Sequence, residues 1–496
     1  MKQYTVRFEP VGKTFLVPEG TPLHDVMNEY GIEFLCGGTG KCGKCKVKLL
    51  QGTIELTDLH RQLLRHHGLD ESWRLACMSR ITADVVLEVH QYETFVLADH
   101  SSFAITPREG HGIAIDVGTT TLVAQMIDLS TGHVVAVQTA LNPQASCGAD
   151  IMSRISWAMR PGGLSHLSSL IRRQLGNMIA GLQKEKPGTK LIRIVMVGNT
   201  VMHHLFCGLD VTPLSAYPFH TPFLEARYFS PGELAWPLPD EVSICFMPAI
   251  GSFVGSDILA GIMASGMYKS PSFQVLIDLG TNGELVMGNR ERLLCASTAA
   301  GPAFEGTNIS MGMRAATGAI ASVSARGDEV SCHVIGNVPA RGICGSGLID
   351  AVSVFLDKGH IDGSGEITGG CSHLTVHRKV SLSQKDIREF QLAKAAIAAG
   401  IQILMQQLHI TAGDIEKIYI AGAFGSYINT ANVIRTGMLP FPEEKIHKLG
   451  NSALMGAKMF LFDDVTWKSI LPLCRHVSLE ADPSFQDTFV NNMFFT

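Results

Sequence analysis

Cys36-Gly37-Gly38-Thr39-Gly40-Lys41-Cys42-Gly43-Lys44-Cys45, followed by Cys77 in Leu75-Ala76-Cys77-Met78, is the stretch from which the rest of the chain is read. Three cysteines in a tight glycine-rich loop with a fourth farther on suit an iron–sulfur cluster, because four thiolates must converge on two irons and bulky side chains would block the wrap. Backbone N–H groups left near the sulfurs would tune the reduction potential. Zinc or disulfides are the competing readings. Zinc usually pairs its ligands as two C-x2-C knuckles, and here only Cys42 and Cys45 form one. Cys36, Cys42, Cys45 and Cys77 are therefore the expected ligands of a 2Fe–2S cluster.

The plant-type loop leaves four residues between its first two cysteines, whereas this one leaves five. In that spacing it resembles the vertebrate-type branch of 2Fe–2S ferredoxins. The flanks agree. Residues 4–8 and 13–17 alternate like two strands around Gly12, and Thr21-Pro22 reads as a helix start. Leu23, Val26, Met27 and Tyr30 follow at helical spacing and Gly31 stops the helix. Beyond the loop come a strand through 46–49, a polar helical stretch around 58–67 and a last strand over 83–89. That is the β-grasp order, which ends the first domain near residue 92.

The whole chain sets outer bounds. Its 496 residues are enough for three or four domains, and a net charge of −5 offers no basic face for nucleic acid. Met1 to Thr5 runs straight into a strand, so no signal peptide is expected, and no apolar run reaches membrane-spanning length. Twelve cysteines without an export signal point to a reducing cytoplasm. The eight outside the cluster set (147, 207, 245, 295, 332, 344, 371, 474) are scattered singly, as buried structural thiols would be.

Residues 93–111 show no periodicity and read as a linker. A strand from Gly112 then ends at Asp116-Val117-Gly118-Thr119-Thr120-Thr121, with further strands at 121–129 and 133–139. Residues 273–298 repeat this: a strand ending at Asp278-Leu279-Gly280-Thr281-Asn282-Gly283, then strands at 284–288 and 292–297. Asp, Gly and Thr recur at a constant offset of 162 residues. A meander whose first turn reads Asp-x-Gly-Thr, used twice, implies two related lobes facing each other. Such a turn suits phosphate: successive backbone N–H groups and a threonine hydroxyl donate, and the aspartate at the strand end holds Mg²⁺ or a water. A third stretch, Lys417 to Ala421 followed by Gly422-Ala423-Phe424-Gly425, is a buried strand with a turn able to pass close to a flat base. Taken alone, it reads as packing.

Together these three stretches resemble the phosphate-1, phosphate-2 and adenosine motifs of the sugar kinase, Hsp70 and actin superfamily. An N-terminal 2Fe–2S domain fused to that ATPase resembles the reductive activators of corrinoid proteins. Val197-Gly198-Asn199-Thr200-Val201-Met202-His203-His204 and Gly301-Pro302-Ala303-Phe304-Glu305-Gly306 are also typical of them. The resemblance implies a β-grasp ferredoxin domain at 1–92, the linker at 93–111, and two ribonuclease-H-like α/β lobes at 112–271 and 272–496 closing on Mg·ATP. It implies ATP-dependent one-electron return of Co(II) to Co(I) in a corrinoid protein of a methyltransferase system. A ferredoxin or flavin reductase would donate the electron, and a homodimer is compatible with it. Asp116 and Asp278 would organise Mg²⁺ and the attacking water. Gly118, Thr119, Thr120, Gly280, Thr281, Asn282 and Gly283 would cradle phosphate, and Gly422, Ala423 and Gly425 would face adenosine. Glu284 is a candidate base, though an exposed surface carboxylate is nearly as good a reading. A small-molecule kinase with a redox-sensing domain and an Hsp70-like remodelling protein with a structural cluster stand as the alternatives.

Four segments remain. Pro248 to Asp257 reads as the start of a lobe-connecting helix, with a hinge or nucleotide contact as the sharper alternative. Gly342 to Gly347 opens another helix, in which Cys344 is a packed thiol. His203 and His204 have no partner at ligand spacing and read as structural. Residues 210–245, with many Pro and Phe, read as an irregular insertion with a surface suited to docking.

Overall fold

The computed structural model describes residues 2–9, 13–29, 46–89, 105–148, 150–280, 282–306, 308–313, 315, 318–327, 329–335, 338–422, 428–463 and 465–495. Cys36, Cys42, Cys45, Thr281, Ala423 and Gly425 lie outside them.

The first domain is one five-stranded sheet with the order β2-β1-β5-β3-β4. Its strands are β1 (Gln3–Glu9), β2 (Lys13–Pro18), β3 (Lys46–Gln51), β4 (Trp73–Leu75) and β5 (Val85–Val89). β1 and β5 run parallel at the centre and the other neighbours are antiparallel. Val6, Phe8, Val47 and Leu87 point inward at period two and bury themselves with Leu23, Val26 and Met27 of α1 (Leu23–Glu29). α2 (Asp58–His66) starts on an N-cap, where Thr57 Oγ1 accepts from the N–H of His60 at 3.2 Å. The three-residue strand β4 was not visible in the sequence, being too short to show alternation.

The remaining chain builds two larger sheets of matching design. In the first lobe the order is β10-β11-β9-β6-β7-β8, from β6 (His111–Val117), β7 (Thr121–Asp128), β8 (Val134–Leu141), β9 (Leu191–Val197), β10 (Arg227–Phe229) and β11 (Ser243–Phe246). In the second it is β21-β20-β12-β13-β14-β22, from β12 (Phe273–Leu279), β13 (Gly283–Gly288), β14 (Leu293–Thr298), β20 (Ile415–Ala421), β21 (Ile446–Gly450) and β22 (Cys474–His476). Each holds an antiparallel meander with a parallel strand laid beside its first member, β9 on β6 and β20 on β12. The central strands are apolar on both sides (Ile113, Ala114, Ile115 and Val117 in β6), because helices cover both faces. Between β14 and β20 the second lobe carries an added unit. It comprises β15 (Ala319–Arg326), β16 (Glu329–Val334) and β17 (Gly342–Ile343), α7 (Gly345–Asp357), and the hairpin β18 (His373–His377) and β19 (Val380–Ser383).

Four helices belong to the first lobe's sequence: α3 (Ile151–Ala158), α4 (Gly163–Glu185), α5 (Thr200–Cys207) and α6 (Ser256–Ser265). In the second, α8 (Gln384–Leu408) is the core helix its alanine- and isoleucine-rich sequence predicts, and α9 (Thr430–Arg435) and α10 (Ser452–Phe462) follow. α6 and α10 exchange sides. α6 reaches β12 and β13 of the second lobe, while α10 packs on β6 and β9 of the first. They cross in close contact: a Cβ on Gly456 would meet the carbonyl oxygen of Ala260 at 2.1 Å, so only glycine fits the crossing.

Two expectations need correcting. Residues 210–245 are not wholly an irregular insertion, since β10 and the start of β11 lie there; Val242, Ile244 and Cys245 are buried because β11 pairs with β9. The eight further cysteines are not all isolated or buried. Cys371 is exposed, and the parallel pairing of β14 with β22 brings Cys474 close enough to Cys295 to act on its thiol. The end of the 93–111 stretch is tied down, with Arg108 donating from its N–H to Leu129 O at 2.9 Å and from Nη2 to Phe462 O at 3.0 Å.

Candidate functional site

Of the four expected cluster ligands, Cys77 is described. It is buried in a short turn over Ala76–Met78 that follows β4. The turn is held by His60 of α2, whose Nε2 accepts from the N–H of Leu75 at 2.9 Å. Burial, with the charge of Arg74, lowers His60 to about 4, so it stays the neutral acceptor this bond requires.

In the ATPase half the two Asp-x-Gly-Thr turns begin at matching strand ends, β6 and β12, and their aspartates both lie within electrostatic reach of Asp257. The first turn is held by three polar side chains from below. Asn142 donates to Gly118 O at 2.9 Å, Asn199 to Thr119 Oγ1 at 2.9 Å, and Arg154 through Nη2 to Thr119 O at 2.7 Å. Asn199 also caps α5, accepting from the N–H of Met202, which explains the Gly198-Asn199-Thr200 signature. Asp116 is half-buried, and desolvation raises it to about 6 against a hydrogen bond from Asn451 Nδ2 at 3.0 Å. Asn451 is the N-cap of α10, so the helix given by the second lobe grips the aspartate of the first.

The second turn is arranged differently. Gly280 N donates to Asn282 O at 3.1 Å, and Thr298 Oγ1 closes onto Gly283 O at 3.0 Å. Gly422, at φ +88°, packs so closely that a Cβ there would lie 2.7 Å from Asp278 Oδ1. The adenosine-type strand thus comes directly beside the second phosphate-type turn. In front of Asp278 stand two more acids, Asp257 in the first turn of α6 and Glu284 in β13. Desolvation and repulsion from Asp278 and Asp116 raise Asp257 to about 8. Glu284 is raised well above the carboxylate range by desolvation and by Asp257 and Asp278. It is 8 % exposed, so its reading as a surface carboxylate fails.

Carboxylates pressed together in a desolvated cleft favour either a shared proton or a cation. Their donor set, hard oxygens only, fits Mg²⁺, although no three His, Cys, Asp or Glu side chains among the described residues close on one ion by themselves. Asn451 escaped the sequence reading, and Asp257 entered it only as the end of the Pro248–Asp257 stretch. The signal for Asp257 was an acid just behind Gly255-Ser256 at a helix start, outweighed by the plainer reading of that helix. Two packing readings agree with the structure. Cys344 is a packed thiol, and His204 is bonded to Thr200 O and Thr221 Oγ1, both at 2.8 Å, inside the core.

A cluster-binding β-grasp domain joined to a two-lobed nucleotide cleft defines an iron–sulfur ATPase, and comparison with known proteins agrees with that class. Residues 6–82 match the 2Fe-2S iron-sulfur cluster binding domain, residues 111–270 the RACo middle region, and residues 272–496 the C-terminal domain of RACo, the ASKHA domain. The chain is similar to the corrinoid activation enzyme RamQ of Eubacterium limosum, 33 % identical over 419 residues that cover 78 % of this chain and 70 % of the relative. It is also similar to the [Co(II) methylated amine-specific corrinoid protein] reductase of Methanosarcina barkeri, 26 % identical over 404 residues, 75 % and 73 % of the two chains. Its fold matches the solved structure of a reductive activator for corrinoid,iron-sulfur protein with a TM-score of 0.71 at 27 % identity, over 99 % and 98 % of the two chains. The chain belongs to the family of reductive activators of corrinoid proteins.

Proposed function

We propose that this protein uses ATP to return an inactive Co(II) corrinoid protein of a methyltransferase system to Co(I). The observation that carries the reading is the joining, in one chain, of a cluster-binding domain to a nucleotide cleft, along the full length of a solved reductive activator. When bound, a 2Fe–2S cluster supplies one-electron transfer; Cys77 with Cys36, Cys42 and Cys45 would hold it, and a ferredoxin or flavin reductase would feed it. Plant-type clusters sit near about −400 mV, and Co(I) is a stronger reductant than that. For one electron each ~60 mV uphill disfavours transfer about tenfold. ATP can supply the difference only by binding one conformation of the complex better than another.

Within this reading residues 1–92 are the electron-transfer domain, 93–111 the linker, and 112–271 and 272–496 the lobes. Gly118, Thr119, Thr120, Gly280, Thr281, Asn282 and Gly283 present donors to phosphate, while Gly422, Ala423 and Gly425 pass the adenosine. Asp116, Asp257 and Asp278 offer oxygens to Mg²⁺ and its waters. Glu284, whose carboxyl is raised by desolvation and by Asp257 and Asp278, would accept a proton from the attacking water once a cation offsets those acids. The mutual repulsion of the acids favours binding of Mg·ATP and closure of the lobes around it.

The test mixes the anaerobic protein, a reductant and a Co(II) corrinoid protein with and without ATP, following the cobalt absorption. Co(I) should accumulate only when ATP is present. Equal accumulation without ATP, from a strong artificial reductant, removes the nucleotide from the electron transfer.

A further inference from the structure

We infer that Arg154 is a positioning residue that places a fixed positive charge behind the first phosphate turn, so that the first lobe holds nucleotides in proportion to their phosphate charge. Arg154 is fully buried (0 % exposed) yet forms no ion pair among the described residues. Its Nε donates to Gly148 O at 2.9 Å, and Nη1 reaches Gln144 Oε1 and Met202 Sδ, each at 3.4 Å. The shortest contact, 2.7 Å from Nη2, is to Thr119 O in the turn itself. Burial holds the guanidinium down to about 10, so it remains charged at neutral pH, and Asp150 and Cys147 support it only through space.

A buried cation without an acid is costly, and the usual resolution is a carboxylate partner. Here the positive charge is spent on backbone carbonyls. Donation to Thr119 O polarises the peptide group whose other end is the N–H of Thr120, and so strengthens that donor toward an incoming anion. Asn142 acts alike on Gly118 O, and hence on the N–H of Thr119, but without charge. Behind the second turn, Thr298 and the apolar side chain of Ile397 lie against Gly283. The site is therefore polarised, cationic behind one turn and acidic before the other. Bound phosphates complete the charge that Arg154 leaves open.

This inference rests on assigning the first turn to phosphate, and its experiment separates the two. Affinities of the full chain for ATP, ADP and adenosine are measured by calorimetry for the wild type, Arg154→Met and Arg154→Lys, with the cluster spectrum and melting temperature as controls of folding. Wild type should prefer ATP over ADP over adenosine. Arg154→Met should weaken ATP about tenfold, ADP less, and adenosine by no more than about twofold. Arg154→Lys keeps the charge and should keep the order of preference, so it carries the test if the methionine variant does not fold. Equal weakening of all three ligands in Arg154→Met, or loss of the preference in Arg154→Lys, overturns the role. If wild type itself holds adenosine as tightly as ATP, the phosphate assignment of the turn fails first.

Discussion

The two Asp-x-Gly-Thr turns share strand geometry and sequence and differ in what surrounds them. Asp116 meets an amide, Asn451, and its turn rests on Asn142, Asn199 and the buried charge of Arg154. Asp278 meets acids, Asp257 and Glu284, and its turn rests on Thr298 and apolar packing. In each case the facing group comes from a crossover helix: α10 brings Asn451 to the first lobe, and α6 brings Asp257 to the second. Under the proposed function, the duplicated frame would divide into a side suited to anions and a side suited to a cation, and Mg·ATP, carrying both charges, would satisfy both when the lobes close.

The sharpest way to break that division is to remove the acid that sequence alone did not single out. Asp257→Ala should lower ATP turnover about a hundredfold or more, as should Asp278→Ala and Asp116→Ala, with the cluster absorption unchanged. Normal turnover in Asp257→Ala beside an inactive Asp278→Ala would show that the acids do not act together.

A smaller effect is expected from Asn451, whose amide does two jobs. Its Oδ1 accepts from the N–H of Leu454 at 2.8 Å and caps α10, while Nδ2 donates to Asp116. Asn451→Asp keeps the cap and loses the donor. Because it also sets a second carboxylate against Asp116, it should reduce kcat about tenfold or more and lower the melting temperature as pH rises above the carboxylate range, whereas Asn451→Ala should lose the donor together with about 1 kcal/mol of stability from the cap. Should Asn451→Asp match wild type in turnover, the grip on Asp116 is irrelevant to hydrolysis and Asn451 is a cap alone.

The smallest effect is on stability against pH. Asp116 is raised to about 6 and Asp257 to about 8 in the folded, nucleotide-free protein, both above their unfolded value near 4. The folded state therefore binds more protons than the unfolded one between these values. The contribution is complete below pH 4 and is lost as pH rises through 6 to 8. Melting temperature should accordingly decline over that window, Mg²⁺ should restore most of it at pH 8, and Asp257→Asn should flatten the slope. A melting temperature that climbs steadily to pH 8 without Mg²⁺ would contradict the acid cluster.

The cluster loop, the β-grasp order, the repeated turn and the long core helix were legible because each is written in local spacing. Cysteine gaps, period-two alternation, glycines at turn positions and 3.6-residue repeats depend on neighbours within a few residues. The short strands β4 and β10 were not, since three residues carry too little alternation. Burial of Glu284 depended on β13 being covered on both faces, which no local pattern states. Asp257, Asn451 and Arg154 were decided by tertiary structure alone. Asp257 reaches Asp278 because α6 crosses to the other lobe, and Asn451 reaches Asp116, 335 residues away, because α10 crosses back. Arg154 lies 35 residues from Thr119 and counts only because α3 is pressed beneath the turn. A sequence names the groups that can carry charge; their desolvation and mutual distance, which set what those charges do, exist only once the lobes are packed.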